Sequence, residues 1–440
     1  MSSAPASTLP LADAPPVSDA KTTARKAALA AAAGTAIEYY EFGVYGYLAG
    51  TIGPLFFPSD NATASLLAIL AVFGSAFLMR PVGGIVLGRL GDRLGRRAIL
   101  LVTVIGMGVA TGLVGLLPTA ASGGLAAPVL LLLIRLAQGF FAGGEVTGAA
   151  AYVAESAPRG QRGFYGAFTP VGVAVGGALA ATVCGVSSVV LGAEQMQAWG
   201  WRVPFLMAIP MVIVSSMVRR RVEESVSFQQ FQAHHEPPKT PLREVLREHG
   251  RSVLRVTLLA FGQNVGYWVG LVFMNLYLST HLKYDKTTVY WILAFVSISM
   301  AFLMPVCGAL SDRIGRRKVL AAGFLGYMVL VLPMMLLMDR HNIGLAFLAM
   351  LVVALPLPVV QSVGYPTYAE QFPTRVRYTG MAFSFNIGAI VGGGITPYVA
   401  TALIGQTGNL LMPGFLLMGG AAVALLALWG VRETAHDALK

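Results

Sequence analysis

Five ionisable residues lie inside stretches that are otherwise apolar enough to form membrane-spanning helices: Glu38, Glu41, Arg80, Arg135 and Glu145. A charge at the centre of a bilayer costs about 2.5–3.5 kcal/mol, so each group must pair, become neutral or face water. Pairing between helices would make these residues structural. A polar cavity with a proton-carrying carboxylate would make them functional, because a proton-coupled carrier needs such a group.

The spacing of these residues predicts two layers. Counted along the helical rise, Glu145 and Arg80 lie near one end of their helices, where we expect an ion pair, while the other three gather near the midplane. Glu38, Glu41 and Tyr45 share one helix face. Two close carboxylates cannot both ionise cheaply in a low dielectric, so we expect Glu38 or Glu41 to carry a proton. Glu145 is a third candidate for the proton-coupling group.

A second set of residues has the chemistry of a ligand site. Arg135 and Gln138 share a face, and an arginine at mid-depth suits bidentate capture of a carboxylate. Tyr45 and Arg80 would contribute to the same wall. A helix of the second half would supply the other wall with polar and aromatic side chains, although each could instead bond to a neighbouring helix: Gln263, Asn264, Tyr267 and Trp268.

The elements that position these side chains are apolar helices. The chain of 440 residues is 56% hydrophobic and 12% charged, far less charged than a soluble domain. Strand alternation is absent. Stretches long enough to cross a bilayer predict an all-α membrane protein with twelve transmembrane helices, near 27–50, 63–88, 97–117, 127–152, 164–190, 203–219, 254–280, 288–309, 318–338, 343–368, 381–405 and 412–431.

The net charge of +11 follows the membrane topology. With both termini in the cytoplasm, most lysines and arginines fall in the tails and inner loops, and only Arg202, Lys283, Lys286 and Arg340 face outside. This positive-inside asymmetry predicts a multi-pass protein of the cell inner membrane. The basic residues therefore indicate topology and lipid contact, and no nucleic-acid partner is expected.

Two repeated motifs divide the chain into related halves. Residues 88–97 (GRLGDRLGRR) recur as 308–317 (GALSDRIGRR), and the Glu155-to-Arg162 pattern recurs as Glu370 to Arg377. The division predicts a disordered tail at 1–26, a six-helix bundle at 27–219, a linker with an amphipathic helix at 220–253, a second bundle at 254–431 and a tail at 432–440.

Other classes of function have little support. Cys184 and Cys307 lie in apolar stretches without a nearby histidine, so neither a metal site nor a cofactor is expected. The chain has no Gly-x-Ser-x-Gly motif and no phosphate loop, and we do not expect an enzyme. A membrane receptor would need a signalling domain, and none is recognisable.

The doubled motif resembles the loop motif of the major facilitator superfamily. Further residues resemble its metabolite:proton symporters: Glu38 to Phe42, Arg80 to Gly84, Arg135 to Gly139, Gly143 to Glu145, Trp199 to Phe205 and Glu370 to Gly380. The resemblance covers about residues 27–434. One departure is Glu41, where the family usually has aspartate.

This resemblance implies one site between two six-helix bundles related by pseudo-twofold symmetry, which alternate in access by a rocking motion. The loop motifs would then form a gate near the cytoplasm. Its residues would be Gly88, Asp92, Arg93, Arg96, Asp312, Arg313, Arg316, Glu155, Arg162, Glu370 and Arg377. Positive-inside anchoring alone is the alternative role for the basic residues.

The expected substrate is a small organic acid, taken up with protons by a monomeric symporter, because Arg135 and Arg80 offer two cationic anchors. The alternative is proton-coupled uptake of a zwitterionic osmolyte such as proline or glycine betaine, because Trp268 and nearby tyrosines suit a quaternary ammonium. Drug efflux is disfavoured because the tight helix-five motif of antiporters is incomplete. Sugar transport is disfavoured because the usual extended ending is missing.

Overall fold

The computed structural model describes residues 17–94, 96–220 and 241–439, without the side chains of 17–20, 88–89, 91–94, 96–98, 100, 218–220 and 241. The described residues are helical, and twelve helices dominate. These are α1 (Val17–Phe56), α2 (Ala62–Leu94), α3 (Arg96–Leu116), α4 (Ala126–Ser156), α5 (Arg162–Gly200), α6 (Arg202–Leu206 continued by Ala208–Arg220), α7 (Gly250–His281), α8 (Lys286–Ile314), α9 (Arg316–Met338), α10 (Ile343–Glu370), α11 (Arg377–Thr407) and α12 (Met412–Trp429).

Within the described part of the chain, nine of these helices are long and apolar enough to cross a bilayer, and α3 and α6 contain shorter apolar segments. Many large apolar side chains on their outer faces are exposed, Val190, Phe302 and Trp429 among them. Such surfaces suit lipid rather than water. The all-α membrane fold expected from the sequence is therefore confirmed.

The helices form two bundles that correspond to the two sequence halves. In the first bundle α1 packs on α5, and α2 packs on α4. In the second bundle α7 packs on α11 and α12, while α9 packs on α10 and α12. The halves meet along two seams, one between α5 and α8 and the other between α2 and α11. The central charged residues belong to α1, α2 and α4 of the first bundle.

Glycines let α2 and α4 approach closely. A Cβ on Gly139 would overlap the carbonyl of Ala76, and a Cβ on Gly143 would overlap the carbonyl of Arg80. Small residues at a helix interface replace side-chain volume with direct backbone packing. This contact brings the helix of Arg135 against the helix of Arg80.

Several boundaries differ from the sequence expectation. The first helix begins at Val17 instead of near residue 27, because an alanine- and lysine-containing segment continues it and buries Ala24 and Ala27. A short helix, Pro241–Glu248, precedes α7 and lies where the sequence predicts the amphipathic helix of the linker. Among the described residues, four π-helical turns interrupt or extend the α-helices. The turn Trp268–Val272 begins at a residue of the expected site, a placement common at functional positions.

Candidate functional site

Arg80 forms a buried ion pair with Glu38. Its Nη2 lies 2.9 Å from Glu38 Oε1, and both side chains are almost fully buried. The guanidinium also lies over the rings of Phe42 and Phe77, at 4.5 Å and 4.6 Å from their centroids. The ring faces and the carboxylate together compensate for the lost hydration of the arginine.

The expected ion pair between Arg80 and Glu145 is wrong. Glu145 begins the helical segment Glu145–Ser156, where a helix N-terminus favours a negative charge. Its carboxylate accepts a hydrogen bond from the Thr103 hydroxyl at 3.2 Å. The Arg80 side chain points toward Glu38 on α1 instead. Its positive charge therefore belongs to the central layer of charged residues and not to the layer that contains Glu145.

Arg135 has no carboxylate within 4 Å among the described residues. Its Nη1 donates to Gln138 Oε1 at 2.8 Å, and Gln138 Nε2 donates to Thr111 at 2.6 Å. The guanidinium lies 4.2 Å from the ring centroid of Tyr45 and 5.3 Å from that of Phe73. Tyr45 and Gln138 thus position a buried cation whose negative partner is missing.

Glu41 is a buried carboxylate that forms no ion pair with any described residue, just as Arg135 forms none with a carboxylate. Neither oxygen has a hydrogen-bond partner of good geometry in the described part of the chain. The Thr111 hydroxyl and Arg135 lie near it without forming a bond or an ion pair. An ionised carboxylate in such surroundings is costly, whereas a protonated one is tolerated.

Aromatic side chains surround Trp268 and join the two halves. Its ring contacts those of Tyr39, Phe42, Phe73, Phe77 and Tyr267 with centroid separations of 5.0–6.1 Å. We call these six residues the aromatic cluster. Its members from α1 and α2 lie between Trp268 and the two buried arginines.

Other residues of α7 bond within the second half. Gln263 donates to Gln361 at 2.7 Å and accepts from the Tyr368 hydroxyl at 2.6 Å. Asn264 donates to the carbonyl of Ala260 in its own helix at 2.8 Å. Gln263 therefore joins α7 to α10, while the Asn264 amide donates back to α7.

Charged residues join the halves on the side that carries the chain termini. Glu370 pairs with Arg162 at 3.2 Å and with Arg316 at 3.1 Å. Arg377 pairs with Glu155 at 2.9 Å. Asp312 pairs with Arg316 and accepts from the backbone N–H groups of residues 163 and 164.

The other residues expected at the gate are Arg313 and those of the first motif copy. Arg313 is exposed and has no ion pair among the described side chains. The first motif copy lies outside the described residues as far as side chains are concerned: Gly88, Asp92, Arg93 and Arg96.

The C-terminal segment adds contacts that the sequence did not indicate. Thr434 donates to Glu370 at 2.6 Å, and its carbonyl accepts from Arg162 at 3.3 Å. The same arginine donates to the carbonyl of Asp437. A short tail has no periodic pattern from which contacts can be predicted. The sole signal in its sequence is that Glu433 and Thr434 are residue types able to cap a helix N-terminus. The phenylalanines of the aromatic cluster were missed because they look like ordinary core residues.

The halves also touch on the opposite side of the central layer. Asn275 on α7 donates to the carbonyl of Tyr47 on α1 at 2.9 Å, and the Tyr290 hydroxyl donates to the same carbonyl at 3.3 Å. A Cβ on Gly74 of α2 would meet the Gly394 carbonyl of α11 at 2.6 Å. The buried charges are therefore enclosed by contacts between bundles on both sides.

Comparison with known sequences gives consistent results. The sequence model described as Major Facilitator Superfamily matches residues 32–383 and 256–439. The proline/betaine transporter of Salmonella typhimurium is 38% identical over 94% of this chain and 85% of its own length. The glycine betaine/proline/ectoine/pipecolic acid transporter OusA of Dickeya dadantii is 39% identical with the same coverage. The shikimate transporter of Escherichia coli is 33% identical over 92% of this chain and 93% of its own.

Solved structures show the same fold. The proton:xylose symporter XylE, bound to 6-bromo-6-deoxy-D-glucose, superposes with a TM-score of 0.72 at 17% identity, over 95% of this chain and 98% of that one. A partially occluded, inward-open form of the Escherichia coli xylose transporter gives 0.72 at 19% identity, over 95% and 100%. At such identities the likeness concerns the fold.

Proposed function

Since this chain belongs to the major facilitator superfamily of multi-pass membrane transporters, we propose that it takes up a small zwitterionic solute, such as proline or glycine betaine, together with protons. The observation that carries this proposal is that the central layer offers one place for a carboxylate and one for an ammonium group. Arg80 is already paired with Glu38, so of the two buried arginines only Arg135 lacks a carboxylate partner among the described residues, and the aromatic cluster beside them offers ring faces to a cation. A solute with one carboxylate and one ammonium group fits this arrangement.

The small organic acid favoured by the sequence has less support. It required both Arg80 and Arg135 to be free cations, but of these two only Arg135 lacks a carboxylate within 4 Å among the described residues. A dicarboxylate would bring two negative charges to one free arginine. The Salmonella typhimurium and Dickeya dadantii transporters named for proline and betaine, at 38% and 39% identity, also exceed the shikimate transporter at 33%.

The aromatic cluster supports an ammonium group in the substrate. Trp268 has the strongest cation-binding ring face of any side chain, and Tyr39 stacks beside it with centroids 6.0 Å apart. The Arg80–Glu38 pair lies next to the same rings. A zwitterion bound here would direct its carboxylate toward an arginine and its ammonium toward ring faces and Glu38.

Glu41 carries the coupled proton in this proposal. It is buried, and the described residues offer it no ion pair, so neutralising it by protonation removes the cost of an isolated charge. When the bundles rock open, water reaches the carboxylate and the proton can leave. The ion pairs of Arg162 and Arg377 would close the cytoplasmic side, with both termini in the cytoplasm and the protein monomeric in the inner membrane.

The test is uptake into proteoliposomes that contain a pH-sensitive dye. An inward proton gradient should drive accumulation of labelled proline or glycine betaine, with acidification of the lumen. Trp268→Leu should raise the KM for glycine betaine roughly tenfold, since it removes the best cation–π partner. Trp429→Leu is the matched control, because this tryptophan is 79% exposed on the outer surface.

Organic acid symport remains the second candidate, because Arg135 is a buried cation without a carboxylate partner in the described part of the chain. Uptake of 2-oxoglutarate or shikimate, with no response to proline or betaine, would establish it and overturn the zwitterion proposal. Solute accumulation without proton movement would support the proposed substrate but contradict the proposed proton coupling.

A further inference from the structure

Three of the buried hydroxyl groups that lack a hydrogen-bond partner among the described residues lie close together: those of Tyr47, Tyr267 and Ser297. Their residues are 2%, 1% and 0% exposed. The hydroxyls of Tyr47 and Ser297 approach each other but do not meet hydrogen-bond geometry. A buried hydroxyl left without a partner costs about 1–3 kcal/mol, so three in one place require an explanation.

All three hydroxyls converge on Gly177. A Cβ built on this glycine would lie 3.2 Å from the Tyr267 oxygen and 3.8 Å from each of the Ser297 and Tyr47 oxygens. The missing side chain therefore leaves a small space ringed by oxygen atoms. We call these four residues the hydroxyl niche.

The hydroxyl niche is assembled from both halves of the protein. Tyr47 on α1 and Gly177 on α5 come from the first bundle, whereas Tyr267 on α7 and Ser297 on α8 come from the second. The ring of Tyr267 contacts Trp268 at 5.0 Å and Tyr39 at 5.2 Å. Through this tyrosine the niche adjoins the aromatic cluster.

We propose that the hydroxyl niche is a subsite for the N–H groups of primary and secondary ammonium zwitterions, and that it distinguishes them from quaternary ones. The proposal rests on the proposed function and adds a basis for specificity to it. Hydroxyl oxygens accept hydrogen bonds from an N–H next to a positive charge, and these are stronger than bonds between neutral groups. A trimethylammonium group has no N–H to donate.

The energetic consequence differs between the two kinds of solute. A secondary ammonium has two N–H groups and can donate to two of the three hydroxyls, whereas a quaternary one donates to none and depends on ring faces alone. A site that hydrogen-bonds a substrate group discriminates against analogues without it, because its own buried polar groups then remain unsatisfied. The niche should therefore affect the KM for proline and leave that for glycine betaine nearly unchanged.

The experiment compares the KM for proline and for glycine betaine in proteoliposomes with Gly177→Ala and Ser297→Ala. Gly177→Ala places a methyl group in the niche without meeting backbone atoms, and Ser297→Ala removes one hydroxyl. Each should raise the KM for proline about tenfold and that for glycine betaine less than twofold. The controls are Gly419→Ala, where a Cβ meets open space, and Ser299→Ala, whose exposed hydroxyl bonds within its own helix.

Each outcome decides the proposal. A selective loss for proline supports it. Equal changes for both solutes would indicate general packing, and no change would indicate that the niche holds a buried water only; both results overturn it. If the wild-type protein carries neither solute, the proposed function fails first and the niche proposal fails with it, and this case is recognised before any variant is measured.

Discussion

Glu38 and Glu41 show how two identical side chains on one helix acquire different chemistry. They lie less than one turn apart, yet Glu38 is 2.9 Å from Arg80, whereas Glu41 has no ion pair in the described part of the chain. The difference comes from α2, whose Arg80 contacts Glu38, whereas its Phe73 and Phe77 pack against Phe42 of α1. The sequence placed both residues on one face, but it could not decide which carboxylate the arginine contacts.

At this scale we predict different losses for Glu41→Gln and Glu38→Gln. Glu41→Gln removes no ion pair, so it should abolish uptake driven by a proton gradient while solute exchange across the membrane continues. Glu38→Gln leaves Arg80 buried without its partner and should destabilise the fold by about 3–5 kcal/mol. Gradient-driven uptake, counterflow exchange and thermal unfolding in detergent measure these effects.

The two variants serve as controls for each other, since each replaces a glutamate of α1 by the same amide. Proton-driven uptake that persists in Glu41→Gln would rule out Glu41 as the carrier. Equal unfolding temperatures for both variants would show that the Arg80 pair contributes little to stability.

At the scale of elements, the C-terminal segment caps the start of α9. Glu433 accepts from the backbone N–H groups of Arg316 and Arg317 at 2.9 Å and 3.0 Å. The preceding Gly315 has a φ of 104°, which favours glycine, and a Cβ there would lie 2.7 Å from the Glu433 carboxylate. The glycine of the second motif copy thus permits both the turn and the cap.

The cap should make stability depend on pH in a defined direction. Burial raises the pKa of Glu433, but hydrogen bonds from the N–H groups of Arg316, Arg317, Ala435 and Thr434 outweigh burial, and the pKa ends below its usual value. A lowered pKa in the folded state stabilises the protein above the unfolded pKa of about 4.3. This stabilisation is lost as the pH falls through the folded pKa.

We therefore predict that Glu433→Gln lowers the unfolding temperature at pH 7, and that the difference from wild type shrinks below about pH 4. Thermal unfolding in detergent from pH 7 to pH 3 measures it. Glu194→Gln on α5 is the control, because this carboxylate is exposed and no shift in stability is expected. A difference that stays constant over the whole range would contradict the capping role.

At the scale of the whole molecule, the sequence revealed what depends on local pattern and repetition. Twelve apolar stretches gave the helices, and the doubled motif gave the two halves. The partner of Arg80 did not follow, because rotation of α2 about its axis depends on glycine contacts between α2 and α4. The aromatic cluster did not follow either, since Phe42, Phe73 and Phe77 are indistinguishable by pattern from ordinary core residues.

The arrangement of ion pairs between the bundles predicts how the molecule opens. Arg377–Glu155 and Arg162–Glu370 connect opposite halves on the side of the termini, and three of the four side chains are nearly fully buried. They can exist only while that side is closed, so they stabilise one state of an alternating pair. Removing one partner should shift the population toward the open state.

Spin labels at Arg159→Cys and Arg375→Cys, in a background without the native cysteines, report the separation of the halves, because both positions are exposed. Glu155→Gln should move the distance distribution toward longer values, since it removes the ion pair between Glu155 and Arg377 that joins the halves. Arg432→Gln removes an exposed ion pair with Asp437 that does not cross between the halves, and it should leave the distribution unchanged. If both variants give the wild-type distribution, the buried ion pairs do not hold this side closed.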